Sequence, residues 1–184
     1  TIRSIYMMGI PHEEITVISP VNQGLEEINT RCQNVFLNKD TVSIRDSFGK
    51  LWKLGARVMM TVNRYDINVM NGEEGIIIGI LANRSCVKVR FKNGQEVDFP
   101  IFTPVIMNTN ESDEEPLDDQ PLSTKLLTLS WAITVHKSQG SQWRYVIFYI
   151  PHNMSKGSFF NRKLLYTGIS RTREMLYVVA NYES

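Results

Sequence analysis

At 184 residues and 21.2 kDa, the chain has the size of one domain, or of one domain carrying a small insertion, and is long enough to bury a real core. A composition of 42% hydrophobic, 10% aromatic and 21% charged residues excludes a disordered or fibrous chain. Apolar runs such as 76–81 and 145–150 fall far short of the roughly 20 residues of a membrane helix, so no membrane partner is expected.

Two cysteines, Cys32 and Cys86, make no disulfide framework, and three scattered histidines make no zinc site. No metal ligand set is therefore expected, and a reducing compartment is. The N-terminal Thr-Ile-Arg-Ser-Ile-Tyr lacks the layout of a secretory signal and an initiator Met, as a fragment of a longer chain would.

The formal net charge of +1 hides an asymmetry. Six of the 19 acids lie within 111–119, and without them 20 basic residues face 13 acidic ones, a balance of +7. The stretch 120–172 carries Lys125, Lys137, Arg144, Lys156, Arg162, Lys163 and Arg171 with no Asp or Glu, and Arg173 follows at once. A one-signed segment of that length repels itself in a compact fold. It points to phosphate, in a nucleotide or a nucleic-acid backbone, in preference to a merely solvated face.

In chain order, the β-branched run 15–19 ends at Pro20, and Leu25, Ile28, Cys32, Val35 and Phe36 then recur at helical spacing, giving strand, loop, helix. Glu26, Glu27, Asn29, Arg31 and Asn34 are assigned to the helix's polar face. From about Leu51 the period becomes that of strands: 57–62, 75–81, 86–91 and 95–99, separated by Asn71-Gly72 and Lys92-Asn93-Gly94 turns. Val87, Val89 and Phe91 alternate with Lys88, Arg90 and Lys92, predicting a small barrel with one basic strand face.

The acidic segment 108–121 reads as a disordered loop, of a charge that can mimic nucleic acid and occupy a basic track. A strand at 125–130, a short helix around 131–138, a strand at 145–150, a helix over 159–172 and a strand at 175–180 complete the expected order. The apolar runs 146–148 and 176–179 are expected to be covered by helices on both faces. The pattern predicts an α/β fold interrupted by a small β-barrel.

The segment 133–143 packs Thr134, His136, Lys137, Ser138, Gln139, Ser141 and Gln142 around Gly140 at a predicted strand-to-helix junction. Backbone amides, hydroxyls and a lysine are what an anion needs, and a plain capping loop does not explain so many donors. Arg171 and Arg173 fall at the predicted C-terminal end of the last helix, where dipole compensation alone could place them, but only Glu174 is near to absorb a guanidinium. Gly168 inside that helix costs about 1 kcal/mol against Ala unless something must approach closely. No Gly-x-x-x-x-Gly-Lys-Ser/Thr loop is present, so the chain alone should not hydrolyse ATP.

The run 15–20 with its helix, Gly55 to Asn63 followed by Val69-Met70-Asn71-Gly72-Glu73-Glu74-Gly75, then 131–142, then Leu165-Tyr166-Thr167-Gly168-Ile169-Ser170-Arg171-Thr172-Arg173 resemble, in order and spacing, the C-terminal half of a superfamily 1 (1B) DNA helicase. The similarity is to the RecD-like group, and 87–100 also resembles Pif-type relatives. It extends from about Glu14 to Ala180.

The resemblance implies a RecA-like, P-loop NTPase-type parallel-sheet domain with an inserted SH3-like β-barrel. It would be divided as 1–51 first RecA-like part, 52–108 barrel, 109–122 acidic loop and 123–184 remainder with motifs V and VI. It also implies that Thr134, His136, Lys137 and Ser138 of the motif V block contact single-stranded DNA, joined by Asn63 and Tyr65 at the barrel entrance. Gly140, Gln142, Arg171 and Arg173 would face the nucleotide. Gln142 stands where the family usually has Glu. Gly168 and Thr172 stand where Ala is common. Arg171 would be the arginine finger that stabilises charge on the transferring phosphoryl group.

ATP and Mg2+ would be held mainly by an N-terminal RecA-like domain outside this chain, and the whole would step along single-stranded DNA, 5′ to 3′, in repair or recombination, in the cytoplasm, nucleoid or nucleus. Two rivals are a stand-alone nucleic-acid-binding module using the basic strand face, and an RNA-directed superfamily 1 helicase.

Overall fold

The computed structural model describes residues 2–101, 121–151 and 162–180. Residues 108–120 of the loop expected over 108–121 and the first residues of the helix expected over 159–172 lie outside them. The chain divides by packing into one unit of residues 1–36 with 131–184 and a second of residues 37–130. The second is wider than the 52–108 insertion expected, because a hairpin before it and a strand after it pack with it.

The first unit is built on four parallel strands. The chain runs through helix α1 (Ile2–Met7), β1 (Ile15–Ser19), α2 (Leu25–Phe36), β9 (Ala132–Thr134), β10 (Trp143–Ile150), α3 (Arg162–Ile169) and β11 (Thr172–Ala180). Strand order is β11-β10-β1-β9. All five β1 residues are buried, and Val146, Ile147 and Phe148 of β10 are buried in turn, as expected for a covered parallel strand. The edge strand β11 departs from that expectation: Met175 and Val178 are exposed, since a strand with a neighbour on one side only is less enclosed.

The short helix expected around 131–138 is instead strand β9, running beside β1 with Val17, Ile18 and Ser19 opposite Ala132, Ile133 and Thr134. The free side of β9 is satisfied by one side chain. Asn29 of α2 donates from Nδ2 to the Ala132 carbonyl (2.9 Å) and accepts the Ala132 N–H at Oδ1 (2.7 Å). Asn29 is thus buried, not on the polar face where the sequence reading put it.

The second unit holds strands β2 (Ser43–Arg45), β3 (Leu51–Lys53), β4 (Arg57–Met60), β5 (Glu74–Leu81), β6 (Cys86–Phe91), β7 (Glu96–Pro100) and β8 (Leu127–Leu129). A curled antiparallel sheet has the order β7-β6-β5-β4-β8, and β2 and β3 pair as a separate hairpin that the periodicity did not reveal. The strand expected at 125–130 does not resume the α/β rhythm; as β8 it pairs antiparallel with β4 and closes this sheet. Val87, Val89 and Phe91 point inward as predicted, with Phe91 meeting Phe99 edge to face at 6.0 Å.

The outward face of β6 is not a basic track. Register sets Lys88 opposite Asp98 and Arg90 opposite Glu96, and both pairs form ion pairs, at 3.3 and 2.8 Å. Lys92 reaches the Glu74 carboxylate, which also accepts from the buried Arg57 guanidinium. The alternation shows which residues face out, but the cancelling acids come from other strands.

Helix α3 lies against β10 at Gly168. A Cβ there would stand 3.0 Å from Phe148 Cδ2 and 3.2 Å from Val135 Cγ2, and would collide with Phe148 Cε2. The close approach that the helix glycine implied is therefore present. Gly168→Ala should destabilise the protein by about 1–3 kcal/mol by overpacking, read by urea unfolding; a gain of about 1 kcal/mol, the helix-propensity effect alone, would contradict this packing.

Candidate functional site

The predicted residues separate into three places. Thr134 ends β9 at the carboxyl side of the parallel sheet. It lies beside Ser19, and Ile18 lies beside Phe148, so Thr134 stands level with Tyr149. Gln142, Arg171 and Arg173 flank the amino ends of β10 and β11, where Trp143 pairs with Thr172. Asn63 and Tyr65 belong to the second unit.

At the carboxyl side, residues 135–140 form a turn and not the start of a helix. Thr134 Oγ1 accepts the Lys137 N–H (3.3 Å), the Ser138 N–H reaches the Thr134 carbonyl (3.0 Å), and Ser138 Oγ donates to the Val135 carbonyl (2.7 Å). Thr134 and Ser138 are buried and shape the turn, while His136 and Lys137 are exposed on it. Gly140 takes the positive φ of +84° that lets the chain bend back toward β10.

At the amino side, α3 stops at Ile169, so Arg171 lies in the turn after the helix and Arg173 in strand β11, not in a last helical turn. The Arg171 guanidinium folds back: Nε donates to the Thr167 carbonyl (3.0 Å) and Nη2 to Ser170 Oγ (3.1 Å). These are a half-buried carbonyl near the helix end and a hydroxyl, weaker partners than a carboxylate. Arg173 Nε contacts Gln142 Oε1 at 3.4 Å.

Beside them Arg144 and Glu174 form a two-pronged ion pair, 2.6 and 2.9 Å, tying the start of β10 to that of β11. Glu174, the acid nearest in sequence to both arginines, is thereby engaged with Arg144. Hydrogen bonding from Arg144 holds its carboxyl below the usual Glu range and raises the guanidinium in return.

In the second unit, Asn63 Oδ1 accepts the Asn71 N–H (3.0 Å), and Arg64 and Val69 bridge the same loop. Asn63 therefore braces the loop, and Tyr65 stands 77% exposed on it.

A cavity of about 500 Å3 between α2 and the sheet face bearing Val17, Ile147, Tyr149 and Val179 includes none of the predicted site residues. Among the described residues no three His, Cys, Asp or Glu side chains gather to hold a metal ion, and no helix is long and apolar enough to cross a membrane.

Two family models match: the UvrD-like helicase C-terminal domain over residues 129–179 and the SH3 domain of ATP-dependent RecD-like DNA helicases over residues 28–91. The chain is similar to the C-terminal domain of helicases of the RecD and Pif1 type. It carries a RecA-like parallel sheet and an SH3-like domain.

The RecBCD subunit RecD of Buchnera aphidicola is 28% identical over 89% of this chain and 22% of its own length, and the Campylobacter jejuni ATP-dependent DNA helicase Pif1 is 25% identical over 86% and 40%. Bacteroides Pif1 bound to single-stranded DNA superimposes with a TM-score of 0.60 at 25% identity, over 90% of this chain and 40% of that one. The chain thus spans less than half the length of these relatives.

Asn29 and the pair Thr167 and Ser170 are positioning residues that motif reading missed. Asn29 was legible as a residue four positions after Leu25 and three before Cys32, on the apolar stripe; the Arg171 bonds had no sequence signal. Asn29→Ala leaves the Ala132 N–H and C=O unpaired in a buried place and should cost about 2 kcal/mol or more, with loss of hydrogen-exchange protection at the Ala132 amide; retained protection would contradict the clamp. The Glu174 carboxylate should titrate below the usual Glu value in a carbon-13 NMR series. The tie it makes is then present at neutral pH and lost as pH falls through that lowered value; an ordinary midpoint would contradict the pairing.

Proposed function

We propose that the chain is the second RecA-like motor domain of an ATP-dependent DNA helicase that moves 5′ to 3′ along single-stranded DNA and acts in repair or recombination in the cytoplasm or nucleoid. ATP and Mg2+ are held mainly by an N-terminal RecA-like domain. The observation that carries this reading is the convergence of Gln142, Arg171 and Arg173 at the amino edge of the sheet, with Glu174 engaged by Arg144.

The residues fit a nucleotide presented by another domain. Two guanidinium groups suit phosphate oxygens, and the Gln142 amide can bond a hydroxyl in place of the usual Glu. The nucleotide supplies the phosphoryl group and its developing charge. Arg171 can exchange the Thr167 carbonyl and Ser170 hydroxyl for phosphate oxygens. His136 and Lys137, exposed on a turn braced by Thr134 and Ser138, supply the DNA-backbone contact.

The rival binding module without a motor loses one support, since Lys88, Arg90 and Lys92 are each paired with acids. The preference for DNA over RNA rests on the similarity to RecD and Pif1 helicases.

In the full-length protein, Arg171→Ala should lower DNA-stimulated ATP hydrolysis by roughly 10³ or more while single-stranded DNA binding persists. An unchanged turnover would overturn the arginine-finger role and with it the motor reading of this edge.

A further inference from the structure

Part of the acid-free stretch 120–173 takes no part in the contacts proposed so far. Helix α3 begins with two of its cations, Arg162 and Lys163, both exposed, and Tyr166 stands 70% exposed beside them. At spacings of three and four residues, the three side chains share one helix face. The opposite face carries Gly168, whose close approach to Phe148 and Val135 fixes which side of the helix meets the sheet.

Main-chain bonds brace this face and leave its side chains outward. Thr167 Oγ1 donates to the Lys163 carbonyl (2.8 Å), and the Ser170 N–H donates to the Tyr166 carbonyl (2.9 Å). Among the described residues, the Arg162, Lys163 and Tyr166 side chains have no ion-pair, hydrogen-bond or ring partner. Surface cations such as Arg31, Arg90 and Arg144 instead meet Glu27, Glu96 and Glu174. Glu174, the first acid after this stretch, is thus already engaged.

The face also lies in a telling place. Helix α3 leads to the amino side of the sheet, where the Trp143 N–H bonds the Arg171 carbonyl (3.0 Å). Gly168 already stands against Phe148 and against Val135, the residue before His136. Arg162, Lys163 and Tyr166 precede Gly168 and so lie towards the carboxyl side, where the turn exposes His136 and Lys137.

We propose that the outer face of α3 is a further nucleic-acid contact, in which Arg162 and Lys163 engage backbone phosphates and the Tyr166 ring stacks on an unpaired base. The inference rests on the nucleic-acid reading above and extends its track from the His136–Lys137 turn onto α3. Two cations with no acid between them suit the repeated charge of a polyanion, whose condensed counterions they release on binding. The ring beside them suits a base, since every base offers a face to stack on. Presentation from a helix lowers the ordering cost of using all three.

The test is a titration of the full-length protein with a single-stranded oligodeoxynucleotide containing 2-aminopurine, comparing wild type with Tyr166→Ala, Tyr166→Phe and the double variant Arg162→Gln, Lys163→Gln. All three positions are exposed, so each variant should keep the fold, checked by unchanged unfolding midpoints. Tyr166→Ala should weaken binding about 5- to 100-fold and abolish the stacking-dependent fluorescence change, with the slope of log affinity against log salt unchanged because no ionic contact is lost. Tyr166→Phe keeps the ring and should bind as wild type. The double variant should lower the magnitude of that slope by about 1.4, two phosphate contacts at about 0.7 each on a single strand.

Wild-type binding whose affinity and salt slope survive both Tyr166→Ala and the double variant would overturn the α3 contact while the motor reading stands. A loss in the double variant with none in Tyr166→Ala would overturn the stacking. Effects confined to self-association, seen by sedimentation, would overturn the contact in favour of a protein interface. Failure of the wild type to bind the oligonucleotide at low salt would overturn both readings.

Discussion

Only eight residues, 135–142, separate the end of β9 from the start of β10, two parallel strands with β1 between them. A parallel connection ordinarily takes a dozen or more residues and a helix. Here the chain must turn at the carboxyl side, cross the sheet and arrive at the amino side with no room for one. The buried hydroxyls of Thr134 and Ser138 tighten the turn, Gly140 lets the chain bend back, and the polar residues between them are distributed from one end of the sheet to the other. In this way one short segment offers exposed His136 and Lys137 at one end and Gln142 at the other. A single rigid connection between a backbone-contacting end and a phosphate-facing end is what coupling of the two requires in the motor reading.

The register of that sheet depends on a few inward-facing groups. Asn29 replaces a missing neighbour for β9, and Gly168 lets α3 come down onto Phe148 and Val135. Arg144 and Glu174 bind the two strand starts on which Gln142 and Arg173 sit. Arg171 is held by partners it can give up at small cost, a carbonyl and a hydroxyl, and not by a carboxylate that would compete with phosphate.

Charge has to be read in three dimensions for the same reason. The excess of Lys and Arg over 120–172 marks the segment that carries Arg171, with Arg173 just beyond it, because few acids are near in sequence. The same inference fails on β6, where Asp98, Glu96 and Glu74 arrive from neighbouring strands to pair with Lys88, Arg90 and Lys92. Much of the fold was legible: β1, α2 and the antiparallel strands follow from periodicity and turn residues, and Gly168 announced a close approach. What was not legible depends on pairing between distant segments. Residues 131–138 have no property forbidding a helix, yet 132–134 become strand because β1 and Asn29 offer hydrogen bonds on both sides, and 135–138 turn away; 127–129 joins the second sheet because β4 is there to receive it.

The release of Arg171 from α3 is tested most directly by determining the structure of the full-length protein with single-stranded DNA and ADP–aluminium fluoride, a mimic of the transferring phosphoryl group. The Arg171 guanidinium should have left the Thr167 carbonyl and Ser170 hydroxyl for the fluoride, with Gln142 and Arg173 still adjoining it. A guanidinium that remains on Thr167 and Ser170 in a fully occupied site would contradict a direct part for Arg171 in the chemistry.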